Sequence, residues 1–207
     1  METAHATKGQ AGGHGAALLL VDFFNTFEFP NGDAFARRVL TVAKRAATLK
    51  ATAKARGAAV VYANDHFGKW RSDFRQVVEA CTRDGAPGAD VGRLLLPDES
   101  DHFVVKPKHS AFFHTPLDLL LQHLGVHTVV IAGIAGDGCV LATAMSAHMH
   151  DYRVRVVADA TASLTAGRQR GAMKLLGDAI DGVFDGTARP AWARWRRPPK
   201  TSRRAAP

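Results

Sequence analysis

The chain has 207 residues, 46% hydrophobic and 22% charged, which suits one domain with a substantial core and argues against a disordered or fibrous protein. Two cysteines, Cys81 and Cys139, outside any Cys-x-x-Cys or Cys/His cluster, argue against a disulfide framework or structural zinc, and no apolar run approaches the roughly 20 residues of a membrane span. The formal net charge of +8 invites nucleic-acid binding, but seven positive charges (Arg189, Arg194, Arg196, Arg197, Lys200, Arg203 and Arg204) stand at the end with no acid among them; removing seven leaves +1 on the rest.

The first fifteen residues are aperiodic and Gly/Ala/His-rich, without the apolar stretch of a signal peptide, and read as a leader. Residues 16–188 then form the folded body, and residues 189–207 a basic, Pro/Arg-rich tail. Trp192 and Trp195 have rings suited to stacking on bases, yet basic, Pro-containing ends are more often solvated, so any nucleic-acid contact is confined to the tail. A soluble protein of a reducing, cytoplasmic compartment is expected.

In chain order, Ala16 to Val21 is a short, continuous apolar run of the kind a buried parallel strand shows, and it stops at Asp22. Asn31-Gly32 makes a turn, Asp33 can cap a helix, and Ala34 to Arg56 carries Phe35, Val39, Val42, Ala46 and Leu49 on one face before Gly57. Ala58 to Ala63 is a second strand, followed by a polar and aromatic loop from Asn64 to Trp70. Residues 71–82 read as a helix, Gly85 to Gly92 as a Gly/Pro-rich connection, and Phe103 to Val105 as a third strand delivering Lys106. Thr115 or its neighbour caps the next helix, with Pro116 in its first turn and Gly125 after its end. His127 to Gly133 is the fourth strand, and a Gly-punctuated turn leads into an Ala-rich helix opened by Cys139. Val154 to Val157 is the fifth strand, ending in Asp159; Gly167 to Leu176 is a helix, and Ile180 to Phe184 a short sixth strand. This alternation predicts an α/β fold of three layers, α/β/α, around a central, mainly parallel sheet of about six strands.

Parallel sheets bind ligands at the carboxyl ends of their strands, and there this chain puts an acid, a base and a thiol: Asp22, Lys106 and Cys139. A thiol at a helix start meets unpaired backbone N–H groups and the positive end of the helix dipole, both of which favour thiolate. Equally, a free cysteine can fill a gap in a core, Asp22 can cap a loop and Lys106 can be a surface cation; their joint position favours chemistry. As a set they suit a hydrolase, with Asp22 taking the thiol proton, Cys139 attacking a carbonyl carbon and Lys106 holding the charged pair. Ligand sites are largely apolar with a few directed polar groups, which makes Asn25, Phe27, Trp70, Phe112 and Phe113 candidate substrate contacts, with plain core packing the alternative for each ring.

The runs LLLVDFFNTF, VVKPKHSAFFHTPLDLLL and VVIAGIAGDGCVLATA, followed by VRVVADATAS, together resemble the isochorismatase-like family of cysteine hydrolases, which includes nicotinamidases and N-carbamoylsarcosine amidases, over residues 16–185. The resemblance implies a Rossmann-like sheet, an Asp22, Lys106, Cys139 triad, a cis peptide at Ile134-Ala135, and an oxyanion hole built from the amides of Ala135 and Cys139. It also implies a homodimer or larger homo-oligomer acting on a small molecule. Gly136 stands where the family often has Thr, so the turn lacks a hydroxyl and its backbone is less constrained. Metal-dependent nicotinamidases resemble one another in an Asp-x-His pair; here Asp65 and His66 are adjacent and Asn64 stands two before His66, so no metal and no cofactor are expected, with His66 and His109 the residues that would meet one.

Members resembling true isochorismatases cleave a vinyl ether by acid catalysis and can lack the cysteine. Cys139 therefore favours the amidase branch: hydrolysis of a small amide, carbamoyl or ureide substrate through a thioester. The alternatives are a vinyl ether hydrolase, and a non-catalytic binding or scaffold protein that keeps the fold and uses its basic tail.

Overall fold

The computed structural model describes residues 14–66, 73–180, 183, 184 and 192. Trp70, Trp195, the leader before His14 and the tail apart from Trp192 lie outside the described residues. Six strands, β1 (Gly15–Val21), β2 (Ala59–Asp65), β3 (His102–Lys106), β4 (Val126–Ile134), β5 (Arg153–Ala162) and β6 (Val183–Phe184), form one sheet in the order β3-β2-β1-β4-β5-β6. Every pairing is parallel. The chain winds outward from β1 to β3, returns to the other side of β1, and winds outward again from β4. Ligands bind in such sheets where the winding reverses, here between the carboxyl ends of β1 and β4.

The continuous apolar run of β1 reflects burial on both faces, because successive side chains of a strand point to opposite sides. Leu18 and Leu20 pack with Phe35, Val39, Ala46 and Leu49 of α1 (Gly32–Ala55), beside α2 (Phe74–Thr82) and α3 (Ala89–Leu94). Ala17, Leu19 and Val21 pack the opposite way with residues of α4 (Leu117–His123), α5 (Leu141–Met149) and α6 (Ala166–Ala179). Each fully buried Leu or Val contributes about 1.5–3 kcal/mol relative to exposure. Two cores thus sandwich one sheet, which holds the strand ends rigid beneath the site.

The structure differs from the sequence expectations in four places. Asp33 does not cap α1; the left-handed residue before it is Asn31 (φ 64°), which makes no side-chain cap, and Asp33 lies in the first turn near the positive helix end. The connection read from Gly85 to Gly92 contains the short helix α3, whose Val91, with Leu95 just beyond, is buried in the first core. Strand β5 runs past Val157 to Ala162, because after a register shift between Ile131 and Gly133 its end pairs Thr161 with Gly133 and Ala162 with Ile134. Trp192, read as part of a solvated tail with a ring that could stack on bases, is fully buried in the first core, and its carbonyl accepts from Arg56 Nη1 at 3.2 Å. No helix among the described residues is long and apolar enough to cross a membrane.

At the end of β4 the chain needs glycine. Gly133 has φ 149°, and a Cβ there would overlap the Val21 carbonyl oxygen and lie 2.8 Å from the Val21 Cβ. Gly133→Ala is expected to cost about 2–4 kcal/mol of stability, read from chemical denaturation. A midpoint unchanged from the parent would show that β1 and β4 separate there without penalty.

Candidate active site

The three residues singled out at strand ends come together. Asp22 leaves β1 in the left-handed region (φ 51°), a conformation Asp adopts more readily than most residues, and its carboxylate turns toward β2 and β3. Asp22 Oδ1 accepts from the Asp65 amide at 2.7 Å, and Oδ2 pairs with Lys106 Nζ at 2.7 Å. Lys106, the last residue of β3, has no exposed surface; its ammonium also donates to the Lys108 carbonyl at 3.2 Å and to Cys139 Sγ at 3.3 Å. The Cys139 thiol and the Asp22 carboxyl also influence each other's protonation. One buried cation therefore touches both the buried acid and the half-buried sulfur.

Burial dominates the electrostatics. It pushes the Asp22 carboxyl above its ordinary 3.8 although Lys106 and three hydrogen bonds pull it down. Burial is the largest single influence on the Lys106 ammonium and acts to lower it, but the charges of Asp22 and Cys139 and the hydrogen bonds to both together outweigh it, and Lys106 stays protonated, above its ordinary value. The Cys139 thiol is pushed up to about 12, by burial first and by the Asp22 charge second, against the pull of Lys106. The resting site thus holds a protonated thiol beside the Asp22–Lys106 pair. This differs from the thiolate expected of a helix start, because desolvation and a neighbouring anion outweigh the helix dipole here.

Cys139 lies within a single π-helical turn, Gly136–Val140, that precedes α5. The peptide bond Ile134-Ala135 before it is cis. The Ala135 carbonyl accepts from the amides of Gly138 (3.0 Å) and Val140 (3.2 Å), closing the turn under the sulfur. A side chain at Gly136 would displace its neighbours: a Cβ there would overlap Gln169 Oε1 and lie 2.9 Å from Ser163 Oγ. Space that a threonine would occupy is filled from the end of β5 and the start of α6.

The other expected site residues are more dispersed. Asn25 is half-buried, and its Oδ1 accepts from the Phe27 amide at 2.8 Å. Phe27 is buried in the first core against Phe29 and Phe35. Phe112 stacks on His150 (5.1 Å) and faces Tyr152 (5.9 Å), beyond the carboxyl end of α5 and thus at the opposite end of that helix from Cys139. Phe113 is exposed, its ring edge-on to His114 at 4.2 Å. Asn64 clasps the segment after β1, donating to the Phe24 carbonyl at 2.8 Å and accepting from its amide at 3.1 Å. His66 is buried just after β2, and the exposed His109 places its ring beside Gly138. Among the described residues no group of three or more His, Cys, Asp and Glu side chains is arranged to hold a metal.

Three contributors escaped sequence reasoning. Asp65, at the end of β2, supplies the amide that fixes Asp22 and sets its carboxylate 4.0 Å from Lys106; applying the strand-end rule to β2 as well would have found it. Ser163 and Gln169 meet the turn that carries Cys139, a contact between segments 26 residues apart that no local pattern signals.

The family model for the isochorismatase domain matches residues 16–185. The uncharacterized isochorismatase family protein YaaI of Bacillus subtilis is 38% identical over 147 residues, which cover 71% of this chain and 80% of that relative. Maleamate amidohydrolase of Pseudomonas putida is 34% identical over 156 residues, 70% of this chain and 71% of that enzyme. In three dimensions, an isochorismatase family protein from Desulfovibrio vulgaris superposes with a TM-score of 0.66 at 28% identity, over 82% of this chain and 93% of that one. A parallel sheet wound both ways from β1, with Asp22, Lys106 and Cys139 meeting at its reversal point, accords with these likenesses: the chain belongs to the isochorismatase family of hydrolases.

Proposed function

We propose that the protein is a metal-independent amidohydrolase that cleaves a small amide, carbamoyl or ureide substrate through a thioester on Cys139. The observation that carries this reading is the contact of one buried ammonium, Lys106 Nζ, with both Asp22 Oδ2 (2.7 Å) and Cys139 Sγ (3.3 Å). Asp22 accepts the thiol proton as the sulfur attacks the carbonyl carbon. Lys106 offsets the negative charge that the departing proton leaves on sulfur. The amides of Ala135 and Cys139 receive the developing oxyanion, an effect worth roughly 3–4 kcal/mol per donor in acyl transfer. Asp22 returns its proton to the leaving nitrogen as the C–N bond breaks. A water then attacks the thioester, giving a proton to Asp22, and the acid departs as the thiol is re-formed.

A base that must be ionised and whose carboxyl is raised by burial sets the acid side of the pH profile. kcat/KM is expected to fall as pH drops through a midpoint above 3.8, because protonated Asp22 cannot accept the thiol proton. A pH–rate profile still flat below pH 4 would remove Asp22 from the role of base.

The test of the reading is ammonia or amine release across a panel of small amides, carbamoyl compounds and ureides. Maleamate belongs in the panel because a relative is a maleamate amidohydrolase. Failure of the parent enzyme to turn over any member would overturn it.

A further inference from the structure

We propose that Ser163 and Gln169 are positioning residues for the hydrolysis described above, whose assignment this inference presupposes: together they fix the turn from Gly136 to Gly138 and so aim the amides of Ala135 and Cys139.

Ser163 follows the last residue of β5 and is buried. Its hydroxyl oxygen accepts from the Asp137 amide at 3.1 Å and donates to Gln169 Oε1 at 2.9 Å. The direction of this relay follows from the surroundings of the Gln169 amide. Its nitrogen faces two carbonyls, Thr161 (3.1 Å) and Ala158 (3.4 Å), which only accept, so Oε1 must be the end that meets Ser163. The hydroxyl can therefore give its proton to Gln169 Oε1 while a lone pair takes the Asp137 N–H, and the Asp137 carboxylate, also within reach of the hydroxyl, draws on the same group. Thr165 caps α6 by accepting from the Arg168 amide at 3.2 Å, which sets Arg168 and Gln169 in the first turn of that helix. Arg168 pairs with the Asp137 side chain, and Arg38 from α1 donates to the Ser163 carbonyl at 3.0 Å. The Asp137 peptide is thus held by both its amide and its carboxylate from outside the turn.

Gly136 completes the device. A side chain there and Gln169 in its present place are mutually exclusive, since a Cβ would overlap Oε1. Between Ala135 and Cys139 the backbone includes glycines 136 and 138, which supply little stiffness of their own. The bracket from β5 and α6 supplies it instead. Preorganised donors act at full strength only when they need not reorient during reaction, so loosening the bracket should slow the chemical step more than substrate binding.

Ser163→Ala and Gln169→Ala are expected to lower kcat about tenfold, the size of one lost neutral hydrogen bond, with KM within about twofold. Alkylation of Cys139 by iodoacetamide should stay within about twofold of the parent, because Asp22 and Lys106 keep their contacts. Gly136→Ala should lower kcat at least about tenfold in the parent but no more than about twofold further in Gln169→Ala, where the space is vacated. Amide hydrogen exchange at Asp137, followed by NMR, should accelerate at least about tenfold in both single variants, and it reports on the turn whether or not a substrate is known. Unchanged exchange at Asp137 would overturn the proposal. So would equal losses of kcat and alkylation rate together with a lowered Tm, the mark of general loosening. Parent enzyme inert toward every amide would count against the amidohydrolase reading, and the exchange result would then decide on the bracket alone.

Discussion

Cys139→Ala is expected to lower kcat/KM at least about 10³-fold while leaving the fold intact, because the nucleophile is removed and no neighbour can replace it. Cys81, the other thiol, belongs to α2 and is fully buried in the first core. The deleted sulfur is half-buried, so the stability loss should stay near 1 kcal/mol or less. Two measurements check the expectation together. Steady-state turnover should vanish against the parent, and rapid acid quenching of the parent should trap an acyl group on the peptide that contains Cys139. Retained turnover in Cys139→Ala would exclude the thioester and leave acid catalysis by the Asp22–Lys106 pair, the chemistry of a vinyl ether hydrolase, as the working alternative.

Asp22→Asn is expected to have the second large effect, on activity and stability at once. The amide side chain can still accept from Asp65 N–H, yet it takes no proton from the thiol, so kcat should fall by about 10²–10⁴. It also leaves Lys106, wholly buried, with the Lys108 carbonyl, Cys139 Sγ and the Asp65 carboxylate at 4.0 Å as neighbours but without its close anionic partner. Removing one partner of a buried pair costs about 3–5 kcal/mol, far more than the pair itself contributes. The pH dependence has a definite sign. In the parent, Asp22 holds the Lys106 ammonium above its ordinary value, so that contribution is present below the lysine range and fades as pH rises through it. In Asp22→Asn burial prevails and lowers the ammonium. The unfolded chain then binds more protons than the folded one between the two values, and the stability deficit narrows as pH rises toward the lysine range. Urea unfolding at several pH values reads this directly. Asp22→Asn combined with Lys106→Met should recover most of the stability and none of the activity. No recovery of stability would mean that the loss in Asp22→Asn does not come from the unpaired Lys106 charge.

Much of the architecture is legible in local pattern. The runs at Ala16 to Val21 and His127 to Gly133 end within two residues of the observed strands, and the face carrying Phe35, Val39, Val42, Ala46 and Leu49 is the buried face of α1. Both signals work because burial on one or two sides imposes a period on the sequence itself. The residues Asp22, Lys106 and Cys139 were equally visible as polar stops after apolar runs. Short or mixed elements were less so. The helix α3 hides among glycines and a proline, and the end of β5 is polar because its carboxyl half leaves the regular ladder beside the site.

Sequence by itself therefore determined the alternation of strands and helices, the parallel sheet, and which three side chains meet at its carboxyl edge. Tertiary structure alone decided their chemical state. Desolvation depends on how both helical layers close over the strand ends, and it turned an expected thiolate into a thiol pushed up to about 12 next to a buried ion pair. It also decided that Trp192 belongs to the core, that Phe27 and Phe112 pack against Phe35 and His150, and that Gly136 makes room for Gln169. Each of these joins residues distant along the chain, and periodicity carries no record of such contacts.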